Sequence, residues 1–396
     1  MKRLIDLMLL ALLISSCMAS PDMIRPRIFE SNEASNPSEV ADEGPRNKSD
    51  ELSGEKDTTE EPANDPSSND QTQEPSIGVS LDKQVLMVDG KPFDIKAICW
   101  NPVKKGYRHP EGVAFRRGGP AFDLAYIERD IKLISEAGFN TVRPYDAIVD
   151  PEVLDLIDQY GIKIIVPAFN YFGTSDDDIR ARIAATKDHP TTLFWEIGNE
   201  WNYNNFYNNN GNLDSSIARV KEVIEVIRAE DKTHPISTDY GEIPEASLIA
   251  DLDVDLWGLN IYRSASFDDV FDIWKTLTNK PVYIGEYGAD AIDDRDNAGR
   301  YAPMDQSFAA VELTKQIMAQ YSSQGKGPVL GGAMFEFSDE WWKDGNGSAD
   351  THDIGGIAPG GGPYPDRTFN EEWWGIVDID RKPRPAYEAM KALYKP

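Results

Sequence analysis

The sequence predicts an α/β fold: a (β/α)8 TIM barrel over residues 79–396, preceded by a signal peptide (1–16) and a disordered acidic linker (17–78). From residue 95 onward, short apolar runs alternate with longer amphipathic stretches, eight times over, as in a strand–helix repeat. The short runs are apolar throughout rather than at every second residue, as expected of strands covered on both faces. Ahead of them lies a block poor in aromatics and rich in Ser, Pro, Asn, Glu and Asp, which lacks the apolar surface to offset its chain entropy.

At the N-terminus, Lys2 and Arg3 precede an apolar stretch from Leu7 to Ile14. That length suits a signal peptide and falls short of a membrane span. Ile14-Ser15-Ser16-Cys17 follows and resembles a bacterial lipobox, which implies lipidation of Cys17. Residues 17–78 carry 15 acidic and 5 basic side chains, and Phe29 is their one aromatic. They read as a charge-extended tether. Met18 stands where many inner-membrane lipoproteins have Asp, so the expected location is the cell envelope, anchored at the outer membrane or cell surface.

The folded part opens with a hairpin, Val85–Val88 and Lys91–Phe93, about the turn dipeptide Asp89-Gly90. The predicted barrel strands are Ile95–Cys99, Asn140–Arg143, Lys163–Pro167, Leu193–Ile197, Pro235–Thr238, Leu256–Asn260, Val282–Ile284 and Gly332–Phe335. The predicted helices are Asp123–Ala137, Pro151–Tyr160, Asp176–Lys187, Leu213–Ala229, Pro244–Ala250, Phe267–Leu277, Met304–Tyr321 and Pro385–Tyr394. Ile127, Ile131 and Ile134 share one helix face, as do Ile217, Val220, Val223, Ile224 and Ile227. An open doubly wound sheet is the alternative, but no Gly-rich phosphate loop follows the first strand.

Chemistry on such a barrel stands at the C-terminal strand ends. There the sequence places Trp100-Asn101, Arg143-Pro144-Tyr145-Asp146, Asn170-Tyr171, Asn199-Glu200-Trp201, Asp239-Tyr240, Asn260 with Tyr262, Glu286-Tyr287, and Glu336-Phe337 followed by Trp341-Trp342. None of the four histidines falls at a strand end, which disfavours an imidazole-built metal site and a Ser-His-Asp triad. No metal or other cofactor is expected. Asp344–Asp350 spaces oxygens like a calcium loop, but Ala349 replaces the turn glycine and Gly355 the bidentate Glu, so it reads as a solvated turn.

The pair that matters is Glu200 after the fourth strand and Glu286 after the seventh. Glycoside cleavage with retention needs two carboxyls about 5–5.5 Å apart, one to protonate the leaving oxygen and one to attack the anomeric carbon. Arg143 and Tyr262 could keep Glu286 ionised and aimed, and Asn199 could meet a sugar hydroxyl. Tyr145, Asn170 and Glu336 are further candidate substrate contacts. Trp201, Tyr240, Trp341 and Trp342 could stack on sugar faces. Glu196 reads as a structural carboxylate, and Tyr203–Asn212 as a sugar-binding loop or a flexible connection.

Phe194–Glu200 and Val282–Gly288 resemble the fourth- and seventh-strand signatures of clan A glycoside hydrolases, retaining β-glycosidases on (β/α)8 barrels. The resemblance implies Glu200 as acid/base and Glu286 as nucleophile. Ile95–Trp100 and Gly331–Ser338 resemble family 72, the β-1,3-glucanosyltransferases. Trp195–Glu200 and Asp231-Lys232-Thr233-His234-Pro235 are equally similar to the TIM-barrel domains of families 2 and 5. The expected function is therefore a retaining β-glycoside hydrolase or transglycosylase on a β-linked glycan, with β-glucan, of β-1,3 type, favoured. The alternative is a catalytically inactive carbohydrate-binding surface lipoprotein. A formal charge of −28 excludes nucleic acid as a partner, and no protein partner is evident.

Overall fold

The computed structural model describes residues 78–207, 211–296, 299–343, 348–352 and 362–395. The signal peptide, Cys17 and nearly all of the acidic tether lie outside the described residues, as does most of the Asp344–Asp350 turn.

The chain enters through a three-stranded antiparallel sheet, β1 (Val79–Asp82), β2 (Val85–Val88) and β3 (Lys91–Pro92). The predicted hairpin is β2–β3, and β1 adds a strand on its other side. Leu86, Val79 and Val88 are buried in one apolar cluster with Ile95, Leu193, Leu256 and Leu330, residues at or near the starts of barrel strands. The small sheet thus covers the N-terminal mouth of the barrel and leaves chemistry to the other end.

Eight parallel strands close the barrel: β4 (Ile95–Cys99), β5 (Thr141–Arg143), β6 (Lys163–Phe169), β7 (Thr192–Ile197), β8 (Ile236–Gly241), β9 (Leu256–Asn260), β10 (Val282–Tyr287) and β13 (Val329–Met334). Two short strands, β11 (Ile292–Asp293) and β12 (Arg300–Tyr301), form a ribbon in the insertion between the last two barrel strands. All eight predicted strands are present. The largest differences are of three residues: β13 starts earlier, at Val329, while β8 runs on to Gly241 and β10 to Tyr287, so that Asp239 and Glu286 are held in ladders rather than on loops.

The outer layer is α1 (Leu124–Glu136), α2 (Pro151–Gln159), α3 (Asp176–Thr186), α4 (Trp201–Asn204), α5 (Leu213–Glu230), α6 (Ala246–Asp251), α7 (Val270–Leu277), α8 (Pro303–Met318) and α9 (Pro385–Tyr394). Local chemistry explains the starts. Asp123 caps α1, Asp150 caps α2 with Pro151 in its first turn, and Ser175 and Asn212 form capping boxes with Asp178 and Ser215. The predicted stripes point inward: Ile127, Ile131 and Ile134 on α1, and Val220, Val223, Ile224 and Ile227 on α5, are all buried. Each such side chain contributes roughly 1.5–3 kcal/mol when fully withdrawn from water. α4 is a single turn right after Glu200, which the sequence does not announce.

Candidate active site

Glu286 sits at the centre of the C-terminal mouth, on β10, and is 6% exposed. Three groups hold its carboxylate. Arg143 Nη1 donates to Oε1 at 2.9 Å. The Tyr145 hydroxyl donates to the same oxygen at 2.6 Å, and the Tyr262 hydroxyl donates to Oε2 at 3.0 Å. Burial, with the Glu286 charge adding to it, pushes both phenols well above the usual tyrosine range, so they remain donors. Three donors on one carboxyl group fix its aim.

Glu200 arrives by a different route. After β7, Gly198 turns at φ 75°, and Glu200 itself adopts a left-handed φ of 49°. A Cβ on Gly198 would stand 2.6 Å from the Trp201 ring, so the turn requires glycine. The left-handed Glu200 carries backbone strain of the kind that gathers at functional sites. Burial first, and then the charge of Glu286, push its carboxyl up to about 8, while a hydrogen bond from Asn260 and the more distant Arg143 pull it down. The mouth therefore holds a carboxyl kept protonated to about pH 8 and, coupled to it, one fixed by three donors, an arrangement that suits general acid catalysis with a nucleophile.

Arg143 organises the pair. It is fully buried, and donates through Nε to Glu196 at 2.9 Å and through Nη2 to Asn199 at 2.9 Å. Asp239 lies 3.6 Å from Nη2. Burial pushes Asp239 well above the usual carboxylate range. Glu196 is the structural carboxylate expected, sealed at 1% exposure between Arg143 and the Tyr283 hydroxyl. Asn199 Oδ1 also accepts from Asn260 at 3.1 Å, so the amide nitrogen is what Asn199 can present to a sugar hydroxyl.

Several predicted substrate contacts are placed elsewhere. Tyr145 joins Arg143 and Tyr262 on Glu286, and Arg143 has no exposed surface with which to meet a sugar. Trp201 is fully buried, donating to Thr238 Oγ1 at 2.9 Å and stacked on Phe206. The reversal at Gly198–Glu200 turns it into the barrel wall. Tyr240 packs edge-on against Trp201 and Trp257. Side chains alternate along β8, so with Asp239 pointing in, Tyr240 must point out. Asn170 is 5% exposed and braces the loop after β5 by donating to the Tyr145 carbonyl at 2.8 Å. Glu336 is 1% exposed, and burial and the Glu340 charge push its carboxyl well above the usual range. Trp341 and Trp342 are half-buried on histidines, Trp341 stacked on His352 at 5.0 Å and Trp342 on His109 at 5.4 Å.

Other residues come to the mouth: Phe335 from the end of the eighth strand, and Lys343, Glu340, Glu371 and Tyr207 from the loops connecting strands to helices. Phe335 packs against Tyr145 and Trp374. The Lys343 ammonium lies 4.7 Å from the Phe335 ring centre and pairs with Glu340 at 3.0 Å and Glu371 at 2.8 Å. Tyr207, from the aromatic–amide run after Glu200, feels the charges of Glu200, Lys343, Glu286 and Glu371. Apart from Phe335, these come from loops whose sequence carries no periodicity. Among the described residues, no group of three or more His, Cys, Asp or Glu is arranged to hold a metal ion.

Residues 169–396 match the family model for the TIM barrel domain of glycosyl hydrolases family 2. That is one of the resemblances read from the motifs; the family 72 resemblance has no such support. The chain is 25% identical over 289 residues to β-glucuronidase from Mus musculus, covering 66% of this chain and 41% of that protein. It is 23% identical over 296 residues to β-glucuronidase from Homo sapiens, with 66% and 40% covered. This chain thus spans about two fifths of the length of those relatives. Among solved structures, it superposes on a family 2 β-galacturonidase from Eisenbergiella tayi bound to galacturonate with a TM-score of 0.56 and 21% identity, covering 80% of this chain and 54% of that one. For β-D-glucuronidase from Dictyoglomus thermophilum the TM-score is 0.57 at 20% identity, with 80% and 53% covered. The structural likenesses establish a shared fold.

Proposed function

The chain belongs to glycosyl hydrolase family 2 through its TIM barrel domain, and from that premise we propose that it is a retaining β-glycosidase with Glu286 as nucleophile and Glu200 as acid/base. The observation that carries the reading is the Glu286 carboxylate gripped by Arg143, Tyr145 and Tyr262 beside a Glu200 held neutral. Glu286 attacks the anomeric carbon while Glu200 passes its proton to the departing oxygen. Glu200, now ionised, takes a proton from an incoming water or sugar hydroxyl. That acceptor displaces Glu286 from the opposite face, and two inversions give retention. Asn199 presents its amide nitrogen to a substrate hydroxyl. The sugar is a β-glycoside. The named relatives are β-uronidases, and they give no support to the β-glucan preference expected from the sequence.

Turnover of a panel of p-nitrophenyl β-glycosides tests the assignment. Glu286→Gln and Glu200→Gln should each abolish it; azide should rescue Glu200→Ala by attacking the glycosyl-enzyme to give the β-glycosyl azide, whereas azide rescue of Glu286→Ala proceeds by one direct displacement and gives the inverted α-glycosyl azide. A Glu286→Ala enzyme with full activity would sink the proposal, and binding without cleavage across the panel would favour the inactive carbohydrate-binding barrel.

A further inference from the structure

Two cations, Arg143 and Lys343, stand against Glu286 or the rings beside it, and both are already committed. Arg143 is fully buried and shared among Glu196, Asn199, Glu286 and the nearby Asp239. Lys343 is the other, and it is a third exposed. Its ammonium is clamped between Glu340 at 3.0 Å and Glu371 at 2.8 Å, above the face of Phe335. Glu340 cannot swing away, because it is 2% exposed and accepts from Asn101 Nδ2 at 2.8 Å. Burial works against the Lys343 charge, but the Glu340 and Glu371 carboxylates outweigh it and keep the amine protonated.

The clamp belongs to the same cleft as the catalytic pair. Phe335 touches Tyr145, which donates to Glu286. The Glu371 charge reaches Glu200. Glu371, Lys343, Glu200 and Glu286 all act on Tyr207. The anions paired with the two cations are Glu196, Glu286, Glu340 and Glu371, so the paired groups alone leave the mouth with excess negative charge. A sugar carboxylate entering beside these groups meets Arg143 and Lys343 already paired, together with several like charges, and a low-dielectric cleft magnifies that repulsion. A hydroxymethyl group meets no such barrier, and the carboxylate oxygens can accept its hydrogen bonds.

We propose that this cleft selects an uncharged β-glycoside and rejects a β-uronide, with Glu340 and Glu371 withholding the charge of Lys343 from the substrate. The proposal rests on the β-glycosidase reading above and deepens it. It separates this chain from the uronide-acting relatives by charge in the cleft rather than by fold.

The test compares kcat/KM on p-nitrophenyl β-glucoside, β-galactoside and β-mannoside with that on the β-glucuronide and β-galacturonide. The best neutral substrate should exceed its uronide by at least about 100-fold, which is about 2.7 kcal/mol of discrimination. Glu371→Gln removes one of the two counter-charges on Lys343 and should raise the uronide-to-neutral ratio by about tenfold or more. The ratio is the readout because Glu371 also bears on Glu200, and a change common to both substrates cancels. A wild-type preference for a uronide, or a ratio unmoved by Glu371→Gln, overturns the proposal. If no glycoside is cleaved, the glycosidase reading fails by itself. Calorimetric binding of isofagomine and of its C6-carboxylate then decides the charge proposal: a carboxylate form at least tenfold weaker supports it, and equal or tighter binding refutes it.

Discussion

Glu200 shows how much chemistry one residue draws from its surroundings. Its carboxyl is lifted to about 8 by burial and then by the neighbouring Glu286 charge. A general acid works only while protonated. With the folded-state value raised, the active form persists below about 8 and is lost as pH rises through it. The alkaline limb of kcat/KM should therefore fall near pH 8. In Glu286→Gln the neighbouring charge is gone, and the Glu200 carboxyl should titrate at lower pH. Carbon NMR of labelled glutamate checks this directly, and an unchanged titration in that variant would refute the coupling. The same residue scale separates Trp201 from Glu200. They are adjacent in sequence, yet one faces the mouth and the other is sealed in the wall, because the chain reverses between them.

At the scale of elements, the site depends on strands approaching more closely than side chains ordinarily allow. β10 carries Gly285 directly before Glu286, and a Cβ there would stand 1.7 Å from Asp239 Oδ2 and 2.7 Å from Asn260 Oδ1. The absent side chain is what lets the ends of β8 and β9 crowd against β10 and bring Asp239 and Asn260 beneath the catalytic pair. Gly285→Ala should push these strands apart at a cost of about 1–3 kcal/mol. Glu286 would shift with its strand, so kcat should drop by more than about tenfold. Steady-state kinetics together with a thermal melt measure both effects, and wild-type values for the two would show that the crowding is relieved elsewhere.

Across the whole molecule, the barrel is closed by contacts between its first helix and its last segment. Arg381, just before α9, donates to Asp130 on α1 at 2.9 Å and 2.8 Å, and Trp100 Nε1 adds a third donor at 3.2 Å. Both members of the ion pair are buried. Tyr387 on α9 donates to the Leu133 carbonyl, joining the same two helices. Asp130→Asn leaves Arg381 buried without its counter-charge, and should cost about 3–5 kcal/mol. Urea denaturation should show a lowered midpoint with an unchanged slope. A midpoint within error of wild type would show that closure does not depend on this pair.

By itself, the sequence determined the alternation of eight strands with helices, the two glutamates at the fourth and seventh strand ends, and the Arg143 and Tyr262 that serve Glu286. Those features follow from local periodicity and from the rule that barrel chemistry stands at strand C-termini, both of which can be read one segment at a time. Only the tertiary structure decided which rim aromatics are walls, that the Tyr145 hydroxyl is bonded to Glu286, and that Asp239 and Asn260 crowd against Gly285 beside it. It alone brought Lys343 between Glu340 and Glu371. The physical reason is that a side chain's partner, burial and charge state depend on residues tens to hundreds of positions away, and closing the barrel is what brings them into contact.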